Sequence, residues 1–167
     1  DGLTDSMTFD LNVVDKNNTP TISGTPDTSV DQGEAYSFTP TANDADGDAL
    51  QFSISNLPAW ADFDPADGTL SGIPENSDVG LYEDITITVT DETGLSATLS
   101  SFSIMVDNVN DDPKISGTST QTVQENTAYS FTPTVRDIDM QVDPAFYQEE
   151  LTFSVDEASL PAWLSFD

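Results

Sequence analysis

One segment of this chain is written twice at a constant spacing. Ile22-Ser23-Gly24-Thr25 returns as Ile115-Ser116-Gly117-Thr118, and Tyr36-Ser37-Phe38-Thr39-Pro40-Thr41 returns as Tyr129-Ser130-Phe131-Thr132-Pro133-Thr134, both at an offset of 93. A fixed period of domain size means an array of similar modules. Pro20 and Pro113 keep the offset, as do Phe9 and Phe102, Leu11 and Ile104, and Val13 and Val106. On this alignment residues 1–18 are expected to be the last strand of a preceding repeat plus its linker. Residues 19–112 are expected to be a complete repeat, and 113–167 the N-terminal part of a following one. Asp1-Gly2-Leu3 resembles Thr93-Gly94-Leu95, and Phe166-Asp167 matches Phe63-Asp64, so the chain reads as an internal piece of something longer.

Within the complete repeat, apolar and polar residues alternate. Tyr36, Phe38 and Pro40 do so, then Leu50, Phe52 and Ile54, then Ile85, Ile87 and Val89 between threonines, then Phe102, Ile104 and Val106. Period two with β-branched and aromatic residues is the pattern of half-buried strands. Asp67-Gly68, Gly80 and Thr93-Gly94 punctuate them as turns. No helical period is sustained. Roughly seven short strands in about 95 residues predict an all-β, two-sheet antiparallel sandwich in tandem copies. Leu57-Pro58-Ala59-Trp60 recurs as Leu160-Pro161-Ala162-Trp163. These tryptophans are expected to fill the sandwich cores; the competing reading is an aromatic patch that stacks on sugar rings.

Acidic residues number 31 against 3 basic ones, with no histidine and no cysteine, for a formal charge of −28. Such a charge opposes compaction unless cations sit among the carboxylates. It also argues against nucleic acid, whose phosphates need a basic face. No apolar run reaches the length of a membrane span. A disordered acidic chain is the alternative, and the strand-like alternation speaks against it.

The carboxylates gather at two kinds of place. Asp44-Ala45-Asp46-Gly47-Asp48 lies between two expected strands, and Asp137 and Asp139 repeat Asp44 and Asp46 at offset 93. Alternating aspartates in a loop set hard oxygen ligands on one side, suited to calcium, which takes roughly 6–8 of them. The same motif also suits a plain solvated turn. Between the repeats runs Asn108-Val109-Asn110-Asp111-Asp112-Pro113, rich in side-chain oxygens, and the earlier counterpart is Asp15-Lys16-Asn17-Asn18-Thr19-Pro20.

With linker and loop together, the chain resembles cadherin-type repeats. Its body, with Tyr-Ser-Phe-Thr-Pro, Leu-Pro-Ala-Trp, Gly-Thr-Leu-Ser-Gly and Ile-Thr-Val-Thr-Asp, resembles the bacterial cadherin-like or "putative Ig" repeats (the dystroglycan-type cadherin-like kind) of large surface proteins and adhesins. The resemblance implies an Ig-like sandwich and Ca2+ at each inter-repeat junction. It implies ligands from the linker, from the Asp-x-Asp loop of the following repeat, and from an aspartate ending a later strand. Carried over, Asn110 and Asp111 bridge to Asp137 and Asp139, while Asn17 and Asn18 bridge to Asp44 and Asp46, with Asp91 at the strand end. Asp78 is a further candidate for the preceding repeat's acidic contribution. Glu125-Asn126 resembles the family's early Glu-Asn element, and Gln32-Gly33 stands in its place in the complete repeat. The departures are Asn18 for Asp111, Lys16 beside the site, and Met140-Gln141 where Gly47-Asp48 stood. Fewer anionic ligands imply weaker calcium binding at the first linker. Leu151 matches Leu50 at offset 101, so eight extra residues, including Asp143-Pro144-Ala145-Phe146-Tyr147, enter the third repeat. They read as surface variation.

Catalysis is not expected, since histidine and cysteine are absent and the acids cluster in turns. The expected role is a calcium-dependent, secreted bacterial spacer or adhesive array at the cell surface. Its expected partners are other repeats of the same protein, surface glycans or another surface protein. The alternative is a carbohydrate-binding module of a polysaccharide-active protein, with Tyr82, Tyr147 or the tryptophans as contacts.

Overall fold

A computed structural model gives the fold and describes residues 1–2, 4–14, 16–139 and 151–166. The eight-residue insertion, with Asp143 and Tyr147, lies outside them, as do Met140 and Gln141. The chain divides into two compact units, Asp1–Asp107 and Asn108–Asp167.

Among its described residues the first unit carries ten strands: β1 (Thr21–Ser23), β2 (Ser29–Asp31), β3 (Tyr36–Phe38), β4 (Thr41–Asn43), β5 (Gln51–Ser55), β6 (Ala61–Phe63), β7 (Leu70–Gly72), β8 (Gly80–Thr90), β9 (Ser96–Thr98) and β10 (Phe102–Asp107). One sheet runs β2-β10-β8-β5, with β9 also on β8; a second runs β3-β7-β6, and β1 pairs with β4. Val30, Ile85, Ile104 and Val106 from the first sheet share a core with Tyr36, Ala61 and Leu70 from the second, which makes the unit an Ig-like sandwich. A neighbouring cluster joins Phe52, Ile87 and Val89 to Ile22, Ala42 and Ala97. All pairings are antiparallel except β2 with β10, which run parallel. The alternation read from sequence holds here: Ile85, Ile87, Val89, Ile104 and Val106 are fully buried. Burying each such side chain contributes about 1.5–3 kcal/mol.

Gly80 opens β8 instead of breaking it. The strand is eleven residues long and changes partners along its length. Its first half pairs with β10 and its second with β5 and β9. At the changeover the register with β10 slips between Phe102 and Ile104, and Asp84 adopts φ 56°. This is a β-bulge, whose extra residue bends the strand. Asn56 Nδ2 donates to the Asp84 carbonyl at 2.9 Å and occupies the oxygen that the bulge takes out of the ladder.

Residues 4–14 form no strand, and Phe9, Leu11 and Val13 are 80%, 79% and 82% exposed. A strand exists through its ladder, and this segment has no hydrogen-bonded partner strand among the described residues.

The second unit contains β11 (Lys114–Ser116), β12 (Thr134–Arg136) and a 3-10 turn at Glu157–Ser159. β11 pairs with β12 in the register that β1 and β4 use, each residue 93 further on. The Gln124–Thr127 turn likewise copies Asp31–Glu34, with 3.1 Å bonds from Thr127 N to Gln124 O and from Glu34 N to Asp31 O. Asn126 takes φ 60° where Gly33 takes 79°, and asparagine is the non-glycine residue that best tolerates this region. The Glu125-Asn126 element therefore serves here as a turn.

Candidate metal centre

The first linker and the Asp-x-Asp loop meet within the first unit. The loop follows β4, and Asp44 organises it by accepting from the N–H groups of Asp46 (2.8 Å) and Asp48 (3.4 Å). The Asn18 N–H donates to Asp46 Oδ2, and Asn18 Nδ2 donates to Oδ1 at 3.0 Å and Oδ2 at 3.2 Å. Asn17 Nδ2 reaches Asp91 Oδ2 at 2.9 Å and Thr93 Oγ1 at 2.9 Å. Asp91 directly follows β8, is buried, and accepts at Oδ1 from Thr93 N, Thr93 Oγ1 and Leu95 N at 2.8–2.9 Å. The fold thus brings together Asn17, Asn18, Asp44, Asp46 and Asp91, five residues from three separate segments of the sequence.

Asp48, which sequence reasoning did not single out as a ligand, completes a triad. Asp44, Asp46 and Asp48 each place an oxygen within 4.8 Å of the others. Asp48 and Asp91 sit in different environments. Burial, and then the charges of Asp44, Asp46, Asp91 and Glu92, push the Asp48 carboxyl up. Burial also works to raise Asp91, but the hydrogen bonds from Asn17, Thr93 and Leu95 outweigh it and hold that carboxyl down. The signs are opposite. Asp91 adds stability above the ordinary carboxylate pKa that is lost as pH falls through its lowered value. Asp48 costs stability at neutral pH, and the cost is relieved as pH falls through its raised value. Asp44 Oδ2 and Asp48 Oδ2 are buried with no hydrogen-bond partner. Crowded, all-oxygen donors with orphaned buried lone pairs fit a hard divalent cation.

The second unit repeats the arrangement. Asp139 N donates to Asp137 Oδ1 at 3.0 Å, as Asp46 N does to Asp44. Asp111 N donates to Asp139 Oδ2 at 2.6 Å, as Asn18 N does to Asp46. Asn110 Nδ2 bonds the Asp111 carbonyl at 3.4 Å, as Asn17 bonds that of Asn18 at 3.1 Å. Asp137 and Asp139 are buried. Asn108, not anticipated, donates from Nδ2 to Asp139 Oδ1 at 3.1 Å, and its Oδ1 is buried and unpartnered. The linker that sequence assigned to the end of the complete repeat thus belongs by contact to the unit that follows it.

Asp78 stands apart from the triad, at the opposite end of β8 from Asp91. Its Oδ2 accepts from Glu75 N at 2.8 Å and closes the 3-10 turn Asn76–Asp78.

The tryptophans part company. Trp60 packs into the first core, edge-on to Tyr36 (5.8 Å, 80°) and Tyr82 (6.0 Å, 81°). Tyr82 is half-buried, and its hydroxyl donates to the Asp78 carbonyl at 3.0 Å. Trp163 is 65% exposed beside Tyr129, contrary to the expectation of a core residue. The reason is that the second unit has no counterpart of β8 and β10 among its described residues to close over it.

The profile of the family described as "Putative Ig domain" matches residues 16–107, more than half of the chain. The chain belongs to this family. Its matched region begins with the linker and ends with β10, so the linker is part of the module. No curated protein matches the sequence. Solved structures similar in part include the SrpA adhesin of Streptococcus sanguinis, at 16% identity and TM-score 0.46, covering 65% of this chain and 69% of that one. Human protocadherin-24 EC1-2 (form II) aligns at 22% identity and TM-score 0.47, covering 74% and 63%. An endo-fucoidan hydrolase from glycoside hydrolase family 107 aligns at 27% identity and TM-score 0.39, covering 54% of this chain and 14% of that one. The chain spans less than a fifth of the glycosidases it resembles. Among the described residues no helix is long and apolar enough to cross a membrane.

Proposed function

We propose that this Ig-like segment is a calcium-dependent, extracellular spacer or adhesive array of a bacterial cell-surface protein, with a cation held where each linker meets the Asp-x-Asp loop of its own repeat. Residues 1–18 are then the last strand of a preceding repeat plus the linker that leads into the first complete one. In the first repeat Asp44, Asp46, Asp48 and Asp91, with the carbonyl oxygens of Asn17 and Asn18, supply the ligands. In the second, Asp137, Asp139, Asp111 and Asn110 do so. Asp78 is left for the acidic contribution of another site. The ion neutralises clustered carboxylates and ties each linker to the repeat it leads into, which narrows the orientations open to successive repeats. The observation that carries the reading is the Asp44–Asp46–Asp48 triad, with two buried oxygens that lack partners.

The role is non-catalytic in this reading, since the acids are used in turns and the chain has no histidine or cysteine. A carbohydrate-binding role has thinner support, because Trp60 and Tyr82 are taken up by packing and Trp163 alone of the three is well exposed.

Titrating calcium into chelator-treated protein, followed by thermal melting, tests the proposal. A ligand at a hundredfold excess over its Kd stabilises by about 2.7 kcal/mol, so the melting temperature rises clearly. The Asp44→Asn/Asp46→Asn variant is expected to lose the response of the first repeat. An unchanged melting temperature in the wild-type chain, with no heat of binding, removes the calcium role.

A further inference from the structure

The linker asparagines do something that a set of metal ligands does not need. We propose that a side-chain amide in each linker is a latch that seats the linker on the Asp-x-Asp loop before any cation arrives, and that the two repeats carry it at different positions, Asn18 in the first and Asn108 in the second. The inference rests on the calcium reading only for the behaviour of the linker once an ion has bound; the latch itself is made of bonds within each repeat.

Both repeats share one backbone bond, from Asn18 N to Asp46 Oδ2 and from Asp111 N to Asp139 Oδ2. The side chains then diverge. In the first repeat the amide at position 18 covers both oxygens of Asp46. In the second the equivalent residue is Asp111, whose carboxylate offers no donor, and Asn108 Nδ2 covers Asp139 Oδ1 instead. Position 15, which matches Asn108 at offset 93, is an aspartate. The two linkers therefore carry one amide and one carboxylate at these two positions, in opposite order. An amide N–H beside a carboxylate is a charge-assisted donor, whereas a second carboxylate there is a repelling neighbour. Keeping an amide at one of these two positions lets the linker dock while the loop carries its full charge. The first linker adds a second hold, from Asn17 Nδ2 to Asp91 and Thr93. When a cation enters, the Asn18 amide can turn its Oδ1 oxygen to it, so that latch yields to the ion it prepared for.

Residue-resolved hydrogen exchange in chelator and in calcium tests this. In chelator the backbone N–H groups of Asn18 and Asp111 are expected to exchange more slowly than a free chain. Asn108→Ala should release Asp111, and Asn17→Ala/Asn18→Ala should release Asn18, each by about tenfold or more, the scale of losing a hydrogen bond to a charged group. Protection in β8 should not change, which separates release of the linker from unfolding. Asn18→Asp should be released in chelator and re-protected by calcium. Wild-type linker amides that exchange at the free-chain rate in chelator, or alanine variants that keep their protection, overturn the latch. Failure of calcium to re-protect Asn18→Asp, with the alanine variants released, supports the latch and tells against the calcium role.

Discussion

Gly68 shows how little room one residue leaves. It sits at φ +78°, and a Cβ built there falls 2.6 Å from Phe52 Cδ1 and 2.9 Å from Pro40 Cγ. Gly47 in the Asp loop has φ +83° but open space around it. Alanine at either position incurs the left-handed backbone cost of about 1 kcal/mol. Gly68→Ala adds overpacking of roughly 1–3 kcal/mol against a buried ring. Urea midpoints should therefore fall much further for Gly68→Ala than for Gly47→Ala, and equal losses would contradict the packing. Tyr36 gives a pH signature at the same scale. Burial, then the charge of Asp27, pushes its phenol up to about 12, and its hydroxyl donates to the Asp27 carbonyl at 3.0 Å. In the unfolded chain the group ionises near 10. Folding thus holds the proton, and its stabilisation is complete below about pH 10 and is lost as pH rises toward 12. Tyr36→Phe is expected to flatten the alkaline limb of the stability profile measured by denaturant unfolding.

At the scale of elements, the long strand β8 decides how the sandwich closes. Ile85, Ile87 and Val89 were legible as its inward face because period two survives any tertiary context that buries one side. Its bulge was not legible: Glu83-Asp84 looks like ordinary exposed strand, and the left-handed φ of Asp84 arises only because β10 and β5 both claim the strand. Asn56, itself at φ 56°, holds the Asp84 carbonyl. Asn56→Ala should cost about 1–2 kcal/mol, from the lost hydrogen bond and a backbone that alanine tolerates less well. Deuterium uptake should rise at Asp84–Thr86 before it rises at β5. Uniform uptake across the sheet would assign the loss to global destabilisation instead.

For the whole molecule, charge is the main force that the packing leaves unopposed. With −28 over 167 residues, self-repulsion opposes the folded state wherever carboxylates stand within a Debye length. Sodium chloride between 0.01 and 0.15 M, which shortens that length from about 30 to about 8 Å, should raise the melting temperature in the presence of chelator. A flat response would mean that long-range repulsion among the carboxylates is a small contribution beside the packing. The repeat itself, its period and its sandwich class could be read directly, because copied segments and alternation are written along the chain. The matching β1–β4 and β11–β12 registers show the same local sequence reaching the same local structure in two places. What only the folded chain decided was convergence. Asp48 and Asn108 were legible only as members of the alternating-aspartate loop and the oxygen-rich linker, and their individual roles come from where β4, β8 and the linkers end in space. Trp60 makes the same point: Tyr36, Tyr82 and the sandwich around it hold its ring in the core, because burial is a property of neighbours and those are supplied by the sheets, not by the motif.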